Sequence, residues 1–315
     1  MKITTMAPLL SVVAPCFNEA ANLRELVQRI SAVVAPLGNY EIVLVDDGSR
    51  DDSVAVMRDL AAQNPCVRWL ALSRNFGHQR ALRAGLDSAR GDAVISLDAD
   101  LQHPPELIPT LVEAWRGGAE VVTTVRQDPP ESDPFKRWTG RLFYRLLNAM
   151  SDTPIEPGSA DFRLLDRRVV DAIRALPETD LFFRGLVPWL GFRVASVKFN
   201  PDARTRGQSA YTLRRMVSLA ASGITSSSIT PLRLSILLAV GLACVALLFV
   251  VYALLRWAAG DAVPGWTSIL VVVALLGAMQ LFVLGVIGEY LGRVLRQTQG
   301  RPPYLVRTAS DEEAR

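Results

Sequence analysis

Short apolar runs alternate with amphipathic stretches along the first two thirds of the chain. Five of these runs are rich in Val, Ile and Leu and have the length of single strands, at residues 9–15, 41–47, 67–73, 92–98 and 119–125. Between them, apolar residues recur with the 3.6-residue period of a helix that buries one face. This alternation predicts an α/β fold, in which helices cover both faces of a mostly parallel sheet.

Two longer apolar runs lie nearer the carboxyl terminus. Residues 234–255 carry no charge, and residues 266–288 contain Gln280 as their only strongly polar side chain. Each run has about the length that crosses a bilayer as a helix. Two buried helices of a soluble core are the alternative, but uncharged runs of this length exceed ordinary core helices. We therefore expect a two-helix transmembrane hairpin with spans at residues 233–257 and 266–290.

Basic residues flank this hairpin on its outer sides. They are Arg214, Arg215 and Arg233 before it and Arg293, Arg296, Arg301 and Arg307 after it. The loop between the spans has no basic residue after Arg256. The positive-inside bias places both termini in the cytoplasm. The expected division is a cytoplasmic domain at 1–210, a juxtamembrane amphipathic segment at 211–232, the two spans and a cytoplasmic tail at 291–315.

Composition supports the membrane assignment and argues against other classes. The chain has 315 residues, of which 50% are hydrophobic, and this share is high for a purely soluble protein. A net charge of +3 gives no general case for nucleic-acid binding. Cys16, Cys66 and Cys244 lie far apart without metal-ligand spacing, which fits packing residues in a reducing compartment.

Polar residues gather where the predicted strands end. They are Asn18 and Glu19, Asp46 and Asp47, Arg74, Asp98 and Asp100, and Arg126, after the first to the fifth strand in that order. Ligands of parallel α/β sheets bind at this edge. Acids and arginines together predict a site for a phosphorylated ligand, with a divalent metal between carboxylate and phosphate. The sequence lacks GxxxxGK[ST] and GxGxxG, which disfavours a P-loop NTPase and a dinucleotide dehydrogenase. DDGS on its own is equally typical of an ordinary turn.

Several ordered motifs carry a family resemblance. They are APCFNE, VDDGSRDDS, LSRNFGHQ, LDADLQHPPE, GSADFRLLDRRVV and RGQSAY, followed by the two apolar runs. From Ser11 to Tyr304 the chain resembles family-2 glycosyltransferases, and within them the polyprenyl-phosphate glycosyltransferases. It is most similar to bacterial bactoprenol glucosyltransferases, with dolichol-phosphate mannose synthases as relatives. The resemblance implies a Rossmann-like GT-A domain before the hairpin, in the bacterial inner membrane, and assembly as a homotetramer.

The resemblance also implies roles for individual residues. Those expected to bind the nucleotide sugar are Pro15, Asn18, Glu19, Asp46, Asp47, Arg74 and Asp98, with Asp47 at the uracil. Those expected to hold Mg²⁺ or Mn²⁺ at the diphosphate are Asp98, Asp100 and Gln102. Asp161 matches the carboxylate usually assigned as catalytic base, and Arg206 matches a loop residue that closes over donor and acceptor. Two positions depart from the family pattern: His103 stands where Asp or Asn is frequent, and Ala210 where Lys is common.

A basic amphipathic segment is the candidate site for the lipid acceptor. Residues 135–150 predict a helix whose apolar side carries Trp138 and Leu142, a pattern typical of helices in the headgroup plane. The residues expected to meet the acceptor phosphate are Arg126, Lys136, Arg137, Arg141 and Arg145. A packed helix with a solvated charged face is the alternative.

The acceptor's chemistry changes what is expected of Asp161. A phosphate monoester has a second pKa of about 6 and is largely a dianion at neutral pH. It has little need of a base, so we expect Asp161 to orient its partners rather than to remove a proton. His78, which has no second histidine at metal spacing, is expected to be a cap or rim residue.

The sequence thus favours an inverting enzyme that moves one hexose from a nucleotide sugar, UDP-glucose first, to undecaprenyl phosphate for cell-envelope glycan modification. Mannose, galactose, N-acetylhexosamine and 4-amino-arabinose derivatives stay open, because sugar choice depends on a few hydrogen bonds. A processive polysaccharide synthase should carry QxxRW and more spans, and neither is found in the sequence. A membrane component without catalysis would have no use for the acids.

Overall fold

The computed structural model describes residues 10–126, 158–178, 182–199, 230–259 and 265–310. The chain divides into two compact units. The sheet unit contains residues 1–148, 153–215 and 302–315, and the helix unit contains residues 149–152 and 216–301.

The described part of the sheet unit is built on one eight-stranded sheet. Its strands are β1 (Leu10–Cys16), β2 (Tyr40–Asp46), β3 (Val67–Leu72), β4 (Ala93–Ser96), β5 (Val121–Arg126), β6 (Ser159–Asp166), β7 (Val194–Phe199) and β8 (Val306–Ala309). Their order is β7-β5-β6-β4-β1-β2-β3-β8. β6 and β8 pair with their neighbours antiparallel, and the other pairs are parallel. The mostly parallel sheet and the five predicted strands are confirmed.

Helices cover both faces of this sheet. They are α1 (Ala20–Val34), α2 (Ser53–Gln63), α3 (His78–Ser88), α4 (Ile108–Arg116), α5 (Arg167–Ala175) and α6 (Phe183–Trp189). Alternate strand residues point to opposite faces, so Val12 packs with α1, α2 and α4, while Val13 packs with α3, α5 and α6. α3 lies especially close to β1, because a Cβ at Gly85 would overlap the Val13 side chain. This close approach brings the start of α3 to the carboxyl edge of the sheet.

Strand order creates a crevice at that edge. The chain passes from β1 to β2 and β3 on one side, then returns to place β4 on the other side of β1. Loops after β1 and β4 therefore diverge at this switch point, where open α/β sheets bind their ligands.

The last strand adds an element that the sequence pattern did not predict. β8 is the outermost strand of the sheet and pairs antiparallel with β3, although its residues belong to the segment expected to be a tail. The Tyr304 hydroxyl donates to Asp87 Oδ2 at 2.9 Å, and the Ser73 N–H donates to the Leu305 carbonyl at 2.8 Å. A four-residue strand with the sequence VRTA is too short and too polar to be recognised by alternation.

The helix unit contains α7 (Thr230–Ala258) and α8 (Trp266–Thr298), which contact each other. Both are long and apolar enough to cross a membrane, judged by length and composition: Ser235–Tyr252 has a mean hydropathy of 2.7 and Leu275–Thr298 of 1.6. α8 continues past residue 290, where the predicted span ends. In its last turns Glu289 pairs with Arg293 at 3.4 Å.

Candidate active site

The loops after β1 and β2 are joined by Asn18. Its backbone φ of 57° lies in the left-handed region, which asparagine tolerates better than most residues. Its N–H donates to Ser49 Oγ at 2.9 Å, and its Oδ1 accepts from the Arg50 N–H at 2.8 Å. Two of the predicted nucleotide-binding loops are thereby fixed side by side.

Pro15 and Glu19 lie beside this junction. Pro15 is buried in β1 opposite Val45. The Glu19 N–H donates to Ser53 Oγ at 3.0 Å, and its Oε2 accepts from Asn22 Nδ2 at 2.6 Å. The structure therefore places both at the carboxyl edge of β1, next to the β2 loop.

The carboxylates of Asp46 and Asp47 bind backbone amides. Asp46 accepts from the N–H of Gly48 and of Ser49, and Asp47 accepts from the N–H of Phe76 at 2.7 Å and of Gly77 at 2.9 Å. Both acids are at most 3% exposed. Burial raises the pKa of Asp47, and the two amides offset that rise only in part. DDGS is thus a structured turn, and its contact with a nucleotide stays a prediction.

The loop after β3 rests on this turn. Gly48 has a φ of 71°, and a Cβ there would lie 2.5 Å from the backbone of Arg74 and Asn75. The Arg74 guanidinium lies over the Phe76 ring at 4.6 Å. Arg74 is exposed at the edge, where the sequence placed it.

The acidic loop after β4 is held by local hydrogen bonds and by strain. The Asp100 carboxylate accepts from the Gln102 backbone N–H at 3.1 Å and from the Gln102 side-chain amide. Leu101 between them has a φ of 61° with its side chain buried, a conformation that costs roughly 1–2 kcal/mol for a residue with a Cβ. Strain of this kind is typical of loops whose shape serves a site.

His103 also holds the acidic loop after β4. It is 8% exposed, stacks on Phe162 with ring centroids 5.5 Å apart, and accepts the Asp98 N–H on Nδ1 at 3.1 Å. This residue departs from the family pattern, and in this chain it fixes the backbone of Asp98.

Asp98 keeps one oxygen without a hydrogen bond. Its Oδ1 is buried and has no hydrogen-bond partner within the described part of the chain, although His78 Nε2 lies 3.4 Å away. A buried carboxylate oxygen left in this way costs free energy unless a cation or donor meets it.

Asp161 is the most strongly held acid of the edge. It is the third residue of β6 and is buried, and its carbonyl accepts from Ser96 Oγ at 2.6 Å, which fixes it opposite the end of β4. Arg163 Nη2 lies 2.7 Å from Oδ1 and Arg184 Nη2 lies 3.1 Å from Oδ2. His78 Nε2 is 3.8 Å from Oδ2 and so stands between Asp161 and Asp98.

These neighbouring side chains determine the ionisation of Asp161. Burial of this 7% exposed residue acts to raise its pKa, but Arg184, Arg163 and His78 outweigh that effect. The pKa of Asp161 therefore lies well below the ordinary range. A carboxylate that remains ionised in this way is a weak base and a firm partner for cations.

The donor set fits a divalent cation that also binds a substrate. Among the described residues, no group of three His, Cys, Asp or Glu side chains could hold a metal alone. Mg²⁺, however, is usually held by one or two carboxylates, with phosphates and water as its other ligands. Asp98, with its unsatisfied oxygen, and Asp100 fit that arrangement.

Other predicted residues are less closely gathered. Arg126 ends β5 and is exposed; β6 lies between its strand and β4. The remaining predicted residues lie outside the described residues: Lys136, Arg137, Arg141, Arg145, Arg206 and Ala210.

The sequence did not identify three residues of the cluster around Asp161. His78 was expected only as a cap or rim residue, while Arg163 and Arg184 received no role. The spacing of Asp161 and Arg163 by two residues in a strand, which puts both on one face, was an available signal. Arg184 has none, because it follows Asp161 by 23 residues in another element.

Comparisons with known proteins agree with this geometry. The family described as glycosyl transferase family 2 matches residues 11–174. The chain is 40% identical over 298 residues to the uncharacterized glycosyltransferase YkcC of Bacillus subtilis, covering 94% of this chain and 92% of that protein. It is 38% identical over 301 residues to the prophage bactoprenol glucosyl transferase homolog of Escherichia coli, covering 95% and 98%. It is 38% identical over 302 residues to the bactoprenol glucosyl transferase of Shigella phage SfX, covering 95% and 99%.

Among solved structures, the chain resembles a mannosyltransferase of Pyrobaculum calidifontis that was determined with GDP-Man and Mn²⁺. The TM-score is 0.51 at 20% identity, with 91% of this chain and 88% of that chain covered. At this identity the likeness shows the fold alone. The sheet topology, the acids at its carboxyl edge and the nearly full-length relatives lead to one conclusion: the chain belongs to glycosyl transferase family 2 and has the GT-A fold.

Proposed function

We propose that this enzyme transfers one hexose from a nucleotide sugar to the phosphate of a polyprenyl phosphate, with inversion at the anomeric carbon. The observation that carries the proposal is the cluster at Asp161, where two arginines meet one buried acid beside Asp98. A reaction between two phosphorylated molecules needs such fixed positive charge next to the reacting atoms.

The relatives support the choice of substrates. The matched Escherichia coli and Shigella phage proteins bear the name bactoprenol glucosyl transferase or its homolog. By that likeness the acceptor is undecaprenyl phosphate and the donor is UDP-glucose, and the product is a lipid-linked sugar for cell-envelope glycans.

The proposed reaction conserves charge between its two phosphorylated partners. An oxygen of the acceptor dianion forms a bond to the anomeric carbon, and the bond from that carbon to the diphosphate oxygen breaks. The bonding electrons leave with the nucleoside diphosphate. The acceptor phosphate loses one negative charge as it becomes a diester, and the diphosphate gains one.

Positive charge at the leaving diphosphate is the main electrostatic requirement. A Mg²⁺ or Mn²⁺ ion held by Asp98 and Asp100, with Gln102 beside them, would supply it when bound. Gln102 orients the Asp100 carboxylate through its two hydrogen bonds, and His103 fixes the Asp98 backbone.

Asp161 acts in this proposal as an orienting anion. Its low pKa and two arginine partners make it a poor proton acceptor, and the acceptor dianion has no proton to give. It holds the guanidinium groups where the reacting anions meet.

Donor binding is assigned to the loops after β1, β2 and β3. The proposed residues are Pro15, Asn18, Glu19, Asp46, Asp47 and Arg74, with the uracil at Asp47. Each carboxylate oxygen accepts more than one hydrogen bond, so the backbone amides at Asp47 leave capacity for a nucleobase N–H.

Acceptor binding is assigned to basic residues near the membrane. They are Arg126, Lys136, Arg137, Arg141 and Arg145, with Arg206 closing over both substrates. The hairpin would anchor the enzyme in the bacterial inner membrane with the sheet unit and both termini in the cytoplasm, as a homotetramer.

The test is a panel of nucleotide sugars incubated with the purified enzyme, undecaprenyl phosphate and Mg²⁺ or Mn²⁺. Mass spectrometry of the lipid fraction should find a single hexose on the acceptor, and release of UDP should require the lipid phosphate. Products with many sugars would indicate a processive synthase. No lipid-linked sugar from any donor would refute the proposal.

A further inference from the structure

We infer that His78 binds the transferred sugar, with its imidazole Nε2 donating a hydrogen bond to the hydroxyl on the carbon next to the anomeric carbon, the 2-hydroxyl. The inference deepens the proposed function and rests on it. The sequence analysis gave His78 no part in substrate binding and expected it to be a cap or rim residue.

His78 lies between two acids that the proposed reaction assigns to different partners. Its Nε2 is 3.4 Å from Asp98 Oδ1 and 3.8 Å from Asp161 Oδ2. In that reaction Asp98 belongs to the diphosphate site, and Asp161 lies where the two reacting anions meet. The anomeric carbon passes from one phosphate oxygen to the other, so the imidazole borders the space in which the sugar is transferred.

The backbone of His78 is fixed from both sides. Before it, the Gly77 N–H donates to Asp47 Oδ2 at 2.9 Å. After it, Gln79 Oε1 accepts from the Phe183 N–H at 3.3 Å. The imidazole therefore starts from a rigid base at the beginning of α3. A group that is held in this way loses little freedom when it binds a substrate.

The imidazole is open to solvent and makes no hydrogen bond within the described part of the chain. The His78 side chain is 40% exposed, and its approaches to Asp98 and Asp161 at 3.4 Å and 3.8 Å exceed ordinary hydrogen-bond lengths. Both neighbours of Nε2 are carboxylates, which only accept, so Nε2 is the ring nitrogen that carries hydrogen. A sugar hydroxyl can use this donor.

A hydroxyl suits this position because it both accepts and donates. Lying over the pair, it accepts from His78 Nε2 and donates to Asp161 Oδ2, since each carboxylate oxygen accepts more than one hydrogen bond. The 2-hydroxyl is the hydroxyl closest to the bond that is transferred. In an N-acetylhexosamine an amide N–H stands at this carbon, and it cannot accept from the imidazole. His78 therefore favours a hexose with a free 2-hydroxyl.

The test removes each partner of the proposed hydrogen bond, singly and together. The donor that the wild type accepts, expected to be UDP-glucose, is compared with its 2-deoxy analogue in the wild type and in His78→Ala, with undecaprenyl phosphate as acceptor. We expect His78→Ala to lower kcat/KM about 30- to 100-fold with UDP-glucose, because a sugar hydroxyl is left unpaired. With the 2-deoxy donor, the same substitution should lower kcat/KM by no more than about threefold.

Three controls separate sugar binding from a structural role. His78→Gln, which keeps an N–H donor of similar reach, should lose only about 3- to 10-fold with UDP-glucose. UDP-4-deoxyglucose lacks a hydroxyl on the far side of the ring, so the effect of His78→Ala should be as large with this donor as with UDP-glucose. Arg193→Gln, at a 72% exposed side chain paired with Glu120, should change no ratio between donors. Calorimetry should find the same affinity for UDP with Mn²⁺ in all variants.

The outcomes distinguish this inference from the proposed function. If the wild type is active but His78→Ala lowers kcat/KM equally with UDP-glucose and the 2-deoxy donor, or weakens the binding of UDP, the role of His78 at the sugar is overturned alone. A wild-type enzyme that makes no lipid-linked sugar from any donor overturns the proposed function, and the inference with it.

Discussion

Glu41 and Asp161 are buried acids at opposite edges of the same sheet. Glu41, at the amino edge, is 4% exposed and accepts from Ser11 Oγ at 2.6 Å, the Arg90 N–H at 2.6 Å and Arg68 Nη1 at 2.8 Å. Asp161, at the carboxyl edge, is 7% exposed and meets two arginines and a histidine.

The difference lies in what surrounds each acid. One arginine and two neutral donors match Glu41, so its charge is compensated once and its partners hold strands together. Asp161 instead meets two arginines and a histidine, that histidine also lies 3.4 Å from Asp98, and His78 and Arg184 remain 40% and 27% exposed. A satisfied buried network stabilises a fold, whereas several charged groups clustered around a buried acid and partly open to solvent are typical of a site that binds a ligand.

The largest effect is expected from Asp100→Ala, at the carboxyl edge. Loss of this carboxylate removes the oxygen donor beside Asp98, and we expect the rate of lipid-linked sugar formation to fall about 1,000-fold. Chelation of divalent ions in the wild type should do the same, with recovery on adding Mn²⁺. Asp92→Ala, before the amino end of the same strand, is the control and should stay within about twofold. Activity that survives both Asp100→Ala and chelation would remove the acidic loop from the mechanism.

Asp161→Asn should lower the rate about 100-fold, because the arginines lose the anion that orients them. The deficit should be the same from pH 6 to pH 9, since Asp161 remains ionised across that interval. Rates are compared per folded molecule. A deficit that disappears above the acceptor's second pKa would instead establish Asp161 as a base.

The same depressed pKa has a consequence for stability. A carboxyl group whose pKa is lower in the folded state stabilises that state at any pH above its unfolded pKa, here 3.8. The contribution of Asp161 is therefore complete at neutral pH and is lost only as strong acid protonates it. The test is the free energy of unfolding of the wild type and of Asp161→Asn, measured between pH 3 and pH 8. A difference between the two proteins that grows towards acid would contradict this expectation.

At the amino edge, Glu41→Gln should lower the stability of the protein and leave its activity intact. The change weakens the bond to the largely buried Arg68, and we expect the free energy of unfolding to fall by about 2 kcal/mol. Activity per folded molecule should not change. Glu25→Gln, at an exposed position of α1, is the control and should be neutral within about 0.5 kcal/mol. Lost turnover in folded Glu41→Gln would mean that the two edges are coupled.

The smallest effect is expected from Tyr304→Phe, beside the edge strand β8. Burial and the Asp87 carboxylate raise the pKa of Tyr304, so its hydroxyl stays protonated and donates to Asp87 at 2.9 Å. Its loss should cost about 1 kcal/mol of stability with little change in turnover. The measurement is the thermal unfolding midpoint of Tyr304→Phe, with Tyr40→Phe as the control. Equal midpoints for the two variants would show that the pairing of β8 with β3 alone holds the segment around Tyr304.

The sequence predicted that the acids lie at one edge of the sheet, but it did not reveal several of the groups that they bind there. Apolar alternation predicted β1 to β5, and the rule that ligands bind at the carboxyl ends predicted that Asp46, Asp98 and their neighbours share one edge. It did not reveal that Asp47 binds backbone amides, because its partners Phe76 and Gly77 lie in the loop after β3, far along the chain. It also gave no reason to associate Arg184 with Asp161.

Local periodicity by itself determined β1 to β5, the helices between them and the two apolar helices near the carboxyl terminus. Burial of one face, of both faces or of a whole helix leaves a repeat that can be recognised from neighbouring residues. The tertiary structure alone decided which groups distant in sequence meet: Asp161 with Arg184, Glu41 with Arg68, and β8 with β3. Electrostatic and hydrogen-bond energies depend on distances of a few ångströms between atoms, and these distances arise from the order in which strands and helices pack rather than from spacing along the chain.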